Sequence, residues 1–169
     1  MSDPRIVTVN ELKPVLDILT NLQWPIPFSE TPHIIKQLGW EMLGELSARS
    51  TLPISNRVVL LGNLNNELSR IDYRLSDTVA PNDMSGQAKL RDSFELITQI
   101  VSDCLGFGPT DQLWACPGVK WHLLTDGQIN LPSGLSSYKM EVWSKELADV
   151  ERFEISHGVD PEHNLEDWD

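Results

Sequence analysis

The chain has 169 residues, with 13 Lys+Arg against 25 Asp+Glu, a formal charge of -12 and a pI near 4.6, the size of one acidic domain. That charge excludes nonspecific nucleic-acid binding, in which cations displace counterions from phosphates, and it disfavours anionic membrane surfaces. With 40% hydrophobic residues and six Trp, the chain has material for a core and is not a wholly disordered acidic polymer.

Met1 to Arg5 lacks the basic and apolar regions of a signal peptide, and no apolar run approaches a membrane span, so a cytoplasmic location is expected. Thr8-Val9-Asn10-Glu11 has the spacing of a capping box. Leu12, Val15, Leu16, Leu19 and Leu22 then form a core-facing helical stripe, and Pro14 sits near enough to the first turn to be tolerated. Trp24-Pro25-Ile26-Pro27 breaks that helix. A second, short helix follows, with Thr31 as cap, Pro32 in its first turn and Gly39 as a left-handed stop.

From Trp40 the period becomes two, and a strand is predicted to about Ser47. Arg57 to Leu61 is a second, nearly continuous apolar strand ended by Gly62-Asn63. In the third, Ser69, Ile71, Tyr73 and Leu75 face the core while Arg70, Asp72 and Arg74 face water. Residues 77–86 form a loop. One long helix then carries Leu90, Phe94, Ile97, Val101, Cys104 and Leu105 on its buried side and stops at Gly106-Phe107-Gly108-Pro109. Val119 to Thr125 and Gln128 to Leu131 form a hairpin about Asp126-Gly127, and Tyr138 to Trp143 is a sixth strand. Ser144 caps a last helix with Leu147, Val150 and Phe153 on one face and Gly158 as its stop, although alternation at Glu151, Phe153 and Ile155 leaves strand as an alternative.

The expected fold is α+β: a single antiparallel sheet of about six strands with helices packed on one face, in the order α-α-β-β-β-α-β-β-β-α. Both halves read as helix followed by three strands. Residues 1–158 form one domain and 159–169 an acidic tail. Trp24, Trp40, Trp121 and Trp143 are assigned to the core.

No constellation points to catalysis. His33 lies in a first helical turn and His122 on the solvent side of a strand. His157 and His163, with Asp160 and Glu162 between them, match no zinc motif. The Ser133 to Ser137 loop lacks a nucleophile elbow. Cys104 lies on the apolar stripe, and Cys116 has no cationic activator in sequence; both are expected to be free thiols. The glycines at 106 and 108 end a helix, the wrong polarity for a phosphate cradle. No catalytic, cofactor or metal residues are assigned, and the chain is read as a non-enzyme.

The least ordinary signal is the C-terminal charge. Residues 145–169 hold nine Asp/Glu and two Lys/Arg, a net of -7 that leaves -5 for the first 144. Such an arm would steer toward a basic partner, with Leu165 and Trp168 as apolar anchors among carboxylates. The candidate partner-binding residues are therefore Trp114, Asp160, Glu162, Glu166, Asp167 and Trp168.

Leu22-Gln23-Trp24-Pro25, Leu38-Gly39-Trp40, Leu105-Gly106-Phe107-Gly108-Pro109, Val119-Lys120-Trp121 and Leu147-Ala148-Asp149-Val150-Glu151 carry a further signal in their order and spacing. Over residues 8 to 157 the chain resembles an uncharacterised family of small bacterial α+β proteins, some similar to immunity proteins of polymorphic toxin systems. The resemblance implies a fold and brings no catalytic residues with it. The order of elements is also similar to that of secretion-chaperone-like domains.

The leading expectation is thus a non-enzymatic, cytoplasmic protein-binding protein of the immunity type that neutralises a basic toxin through an acidic surface. One alternative is a chaperone-like dimer holding an extended partner segment. Another is a small-ligand protein or enzyme whose site is assembled from distant polar residues.

Overall fold

The computed structural model describes residues 3–134 and 136–159. Helix α1 (Val9–Leu19) starts at the capping box: Thr8 Oγ1 accepts from the Glu11 amide at 3.2 Å, and the Glu11 carboxylate accepts from the Thr8 amide at 2.9 Å. One 3₁₀ turn at Phe28–Glu30 precedes α2 (Thr31–Gln37), so Glu30 and not Thr31 is the capping position. Gly39, at φ 76°, ends it as expected.

The predicted long helix is two. Asp83 accepts from the Gly86 amide to open α3 (Met84–Asp92), and Ser93 closes it while starting α4 (Phe94–Leu105), which stops at left-handed Gly106. Periodicity carries through such a break because one off-helix residue shifts the apolar face only slightly.

The sheet has eight antiparallel strands and not about six: β1 (Glu41–Met42), β2 (Ser47–Arg49), β3 (Val58–Leu64), β4 (Glu67–Arg74), β5 (Asp111–Gln112), β6 (Gly118–His122), β7 (Gln128–Pro132) and β8 (Lys139–Trp143). The run from Trp40 to Ser47 folds at Gly44 into the β1–β2 hairpin, and two-residue β5 is too short to show a period. Strand β6 ends at His122 because residues 123–127 turn, with Asp126 at φ 69°.

The strand order β1-β2-β3-β4-β8-β7-β6-β5 joins two meanders through their last strands. Each half runs helix, left-handed glycine, two-residue edge strand, then three longer strands, which gives the sheet an approximate two-fold about the β4–β8 pair. Both edges are thus too short to template pairing with another chain.

Alternation fills one face of the sheet with Val59, Ile71, Tyr73, Trp121, Ile129 and Val142, all buried against α1 and α4. Trp40 packs its edge on Tyr73 at 5.3 Å and Phe94 stacks on Tyr138 at 6.1 Å. Each such large apolar side chain contributes about 1.5–3 kcal/mol by leaving water.

The other face is polar. Register carries one row from Ser47 through Leu60, Asp72, Glu141, Asn130 and Lys120 to Asp111, across seven strands. Helix α5 (Lys145–Ser156), capped by Ser144 through the Leu147 amide, covers the β6–β7 end of this face. Residues 145–156 are therefore helix and not strand, and helices pack on both faces, not one. The cause is Lys120: buried, it can be covered only by something that neutralises it. Glu151 does so, Oε1 to Nζ at 2.9 Å, while Gln128 Nε2 donates to Glu151 and to Asn130 Oδ1. The helix consequently turns Ala148 and Glu151 inward and leaves Val150 and Phe153 exposed, the reverse of the hydrophobic reading.

Candidate functional site

Two surfaces stand out, one on each side of the sheet. On the helical side, α4 and the turn after it form a groove of ≈ 800 Å³. Phe94, Thr98 and Ser102 recur every four residues along one stripe, and Glu95, Gln99 and Asp103 along the next. Gln99 Nε2 donates to Asp103 Oδ1 at 2.7 Å. Gly106-Phe107-Gly108-Pro109 and Val119 close the far wall, with Phe107 exposed. The left-handed Gly106 reverses the chain so that this wall faces the helix it has just left. Among the described residues, the only charged side chains lining the groove are the carboxylates of Glu95 and Asp103. Twelve helical residues give a trough about 18 Å long.

The second surface is the half of the polar face that α5 leaves uncovered. Val58 and Leu60 of β3 are exposed there, Leu60 at 51%. Beside them on β4 and β8 lies an ionic cluster. Arg70 binds Asp72 at 2.7 Å and Glu141 at 3.3 Å, Lys139 lies 3.7–3.9 Å from both carboxylates, and Arg74 has no carboxylate partner among the described residues. Depth separates the signs. Asp72 and Glu141 are 7% and 13% exposed at the side chain, against 34% and 38% for Arg70 and Lys139. Burial works against the Arg70 charge, but the hydrogen bonds to Asp72 and the charges of Asp72 and Glu141 outweigh it, so its pKa rises above the ordinary arginine value. The Arg70 stem lies across Gly62, where a Cβ would come within 2.5 Å of its Cγ, and its guanidinium sits 5.9 Å from the Trp143 ring centre. Trp143 is therefore not a core residue: it lies half-buried on the polar face, Nε1 donating to Glu141.

Of the residues proposed from sequence, Trp114 is half-buried in the β5–β6 loop and lines neither surface. Asp160, Glu162, Glu166, Asp167 and Trp168 lie outside the described residues. His33 and His157 are exposed, and His157 stacks on Phe153. His122 is half-buried beside α5; burial, Lys120 and Arg152 push its pKa below the ordinary value. Cys104 is buried and Cys116 exposed, both free. Among the described residues no group of three or more His, Cys, Asp or Glu is placed to hold a metal ion. No described helix is long and apolar enough to cross a membrane.

The groove residues were not singled out from sequence because Glu95 and Gln99 read as an ordinary solvated helix face. A findable signal was present: two carboxylates eight residues apart, on the face that adjoins an aromatic between two glycines.

Residues 10–144 match the model of a family of unknown function, DUF6301, and the chain belongs to that family. The matched span contains both surfaces and ends at the Ser144 cap of α5. No curated protein and no solved structure matches the chain.

Proposed function

We propose that this member of the DUF6301 family is a non-enzymatic binding protein of the immunity type, which occludes a basic protein partner by taking one of its lysine- or arginine-bearing segments into the α4 groove. The observation that carries this reading is the charge of the groove. Its charged lining residues are Glu95 and Asp103, separated by two helical turns, with the half-buried Phe94 beside Glu95 at one end and the exposed Phe107 in the opposite wall. Carboxylates attract a cationic segment from a distance and speed encounter, while the aromatics hold it once it is seated and lengthen residence. A net charge of -12 adds long-range steering of the same sign.

The experiment is affinity capture from the native host with the full chain and with a Glu95→Lys/Asp103→Lys variant, at low and moderate salt. The expected result is one stoichiometric basic protein, held by the wild type and lost by the variant. Capture of no stoichiometric basic protein, or equal capture by both chains, overturns the reading.

A further inference from the structure

The approximate two-fold of the sheet raises a question about its polar side. In the second half, β8 runs directly into α5, which folds over β6 and β7 and buries Lys120 beneath Glu151. In the first half, β4 runs instead into the 75–83 segment and α3, which belongs to the helical side of the chain. On the polar side β3 stands open, with Val58 and Leu60 exposed, while α5 reaches the first half only at β4.

We infer that this uncovered half is the docking surface for an acidic amphipathic helix of a partner protein, seated on β3, β4 and β8 much as α5 is seated on β6 and β7. Two observations select that chemistry. First, the surface presents cations above buried carboxylates: Arg70, Arg74 and Lys139 reach outward while Asp72 and Glu141 lie beneath them. The groups available to a visitor are guanidinium and ammonium, which favour carboxylates, and Arg74 has no carboxylate of its own among the described residues. Second, the molecule already shows this sheet face accepting a helix whose inward contact is a glutamate on a strand lysine. The two halves differ in two respects. By register Lys120 of β6 answers to Ser47 of β2, so the cations of the open half stand on β4 and β8 instead. Where α5 meets Gln128 and Asn130 on β7, the corresponding strand β3 offers Val58 and Leu60, so the visiting helix must bring apolar side chains as well as carboxylates.

This surface and the α4 groove lie on opposite sides of the sheet and want opposite charge. The inference therefore stands independently of the basic partner proposed for the groove.

The test uses the full chain, isotope-labelled for NMR, and two synthetic helical peptides of matched pattern, one built from Glu and Leu and the other from Lys and Leu. The Glu/Leu peptide is expected to bind saturably and to shift the amides of Val58, Leu60, Arg70, Arg74 and Lys139. Binding should weaken about tenfold in Arg74→Glu and also in Leu60→Ser, whose exposed side chain leaves folding untouched. No saturable binding of the Glu/Leu peptide, wild-type affinity in both sheet variants, or preference of this face for the Lys/Leu peptide overturns the inference.

Discussion

Replacing Glu151 by Ala leaves the Lys120 ammonium beneath α5 with no carboxylate. The pair is among the least exposed in the molecule, at 4% and 9% for the two side chains, and its contact is 2.9 Å. Removing one member of such a buried pair costs about 3–5 kcal/mol, because the remaining charge is desolvated without compensation. Gln128 keeps Asn130 but loses its second acceptor, which acts in the same direction. For a chain of this length, with a urea m-value of about 3 kcal/mol/M, the midpoint should fall by about 1–1.7 M. The double variant Lys120→Met/Glu151→Leu removes both charges and their desolvation, and should return to within about 1 kcal/mol of wild type or exceed it. The assay is urea denaturation followed by tryptophan fluorescence, with hydrogen exchange at the β6 amides to report whether α5 lifts first. A midpoint shift below about 0.3 M for Glu151→Ala, or a double variant less stable than the single one, would refute the view that this pair sets the position of α5.

The two free cysteines should separate by reagent access: a thiol-specific dye should modify Cys116 in the native protein and Cys104 only on unfolding. Burial first, then the charges of Glu141 and Glu151, raise the Cys116 pKa, so its reaction rate should still be climbing above the ordinary thiol value of about 8.5; a plateau below that value counts against this environment. His122 gives a pH signature of defined sign. Its folded pKa is depressed, so below the unfolded value of about 6.5 the unfolded chain takes up a proton that the folded one resists, and stability falls as pH drops through that range. His122→Gln should flatten that decline, and an unchanged slope in urea midpoints between about pH 7 and 5.5 would dismiss the assignment. Leu16→Ala, which empties a fully buried α1 position, should cost about 2–5 kcal/mol, whereas Leu60→Ala on the open face should change stability by no more than about 0.5 kcal/mol. Comparable losses at the two sites would mean that Leu60 is packed and not presented.

Local sequence rules were reliable where one residue decides the outcome. The Thr8–Glu11 box, the Ser144 cap and the left-handed glycines at 39 and 106 are set by groups a few residues apart, and each is where the sequence puts it. The alternation of β4 was legible for the same reason: Ile71 and Tyr73 go to the core, Arg70 and Arg74 away from it. What failed was reading a helix by apolar periodicity when its cover is polar. The stripe of Leu147, Val150 and Phe153 points α5 one way, but the deciding contact is Glu151 to Lys120, 31 residues away along the chain. No local pattern reveals that Lys120 is buried, since its strand neighbours Val119 and Trp121 would look the same with a lysine in water. Trp143 was misplaced by the same blindness, because hydrophobicity assigns a tryptophan to a core while register assigns it to the face of Arg70. The candidate sites were least legible of all, since a groove wall at Phe107 and an uncovered half-sheet both depend on how distant elements are stacked.

The formal charge of -12 also misleads when it is used to judge a surface. Five of those charges belong to Asp160, Glu162, Glu166, Asp167 and Asp169, so residues 1–159 carry -7, the difference between -12 and -5. Within that remainder the sign of each face is set by depth more than by count. On the open sheet half Asp72 and Glu141 lie below the side chains that neutralise them, and a visitor meets Arg70, Arg74 and Lys139; in the α4 groove Glu95 and Asp103 have no cation beside them in the lining. An acidic protein thus presents a cationic surface on one side of its sheet and an anionic groove on the other. Both associations should weaken with salt, yet reversing charge at Arg74 and at Glu95 should damage different partners, because a screened contact is local to its own Debye length of about 8 Å and the sheet stands between the two.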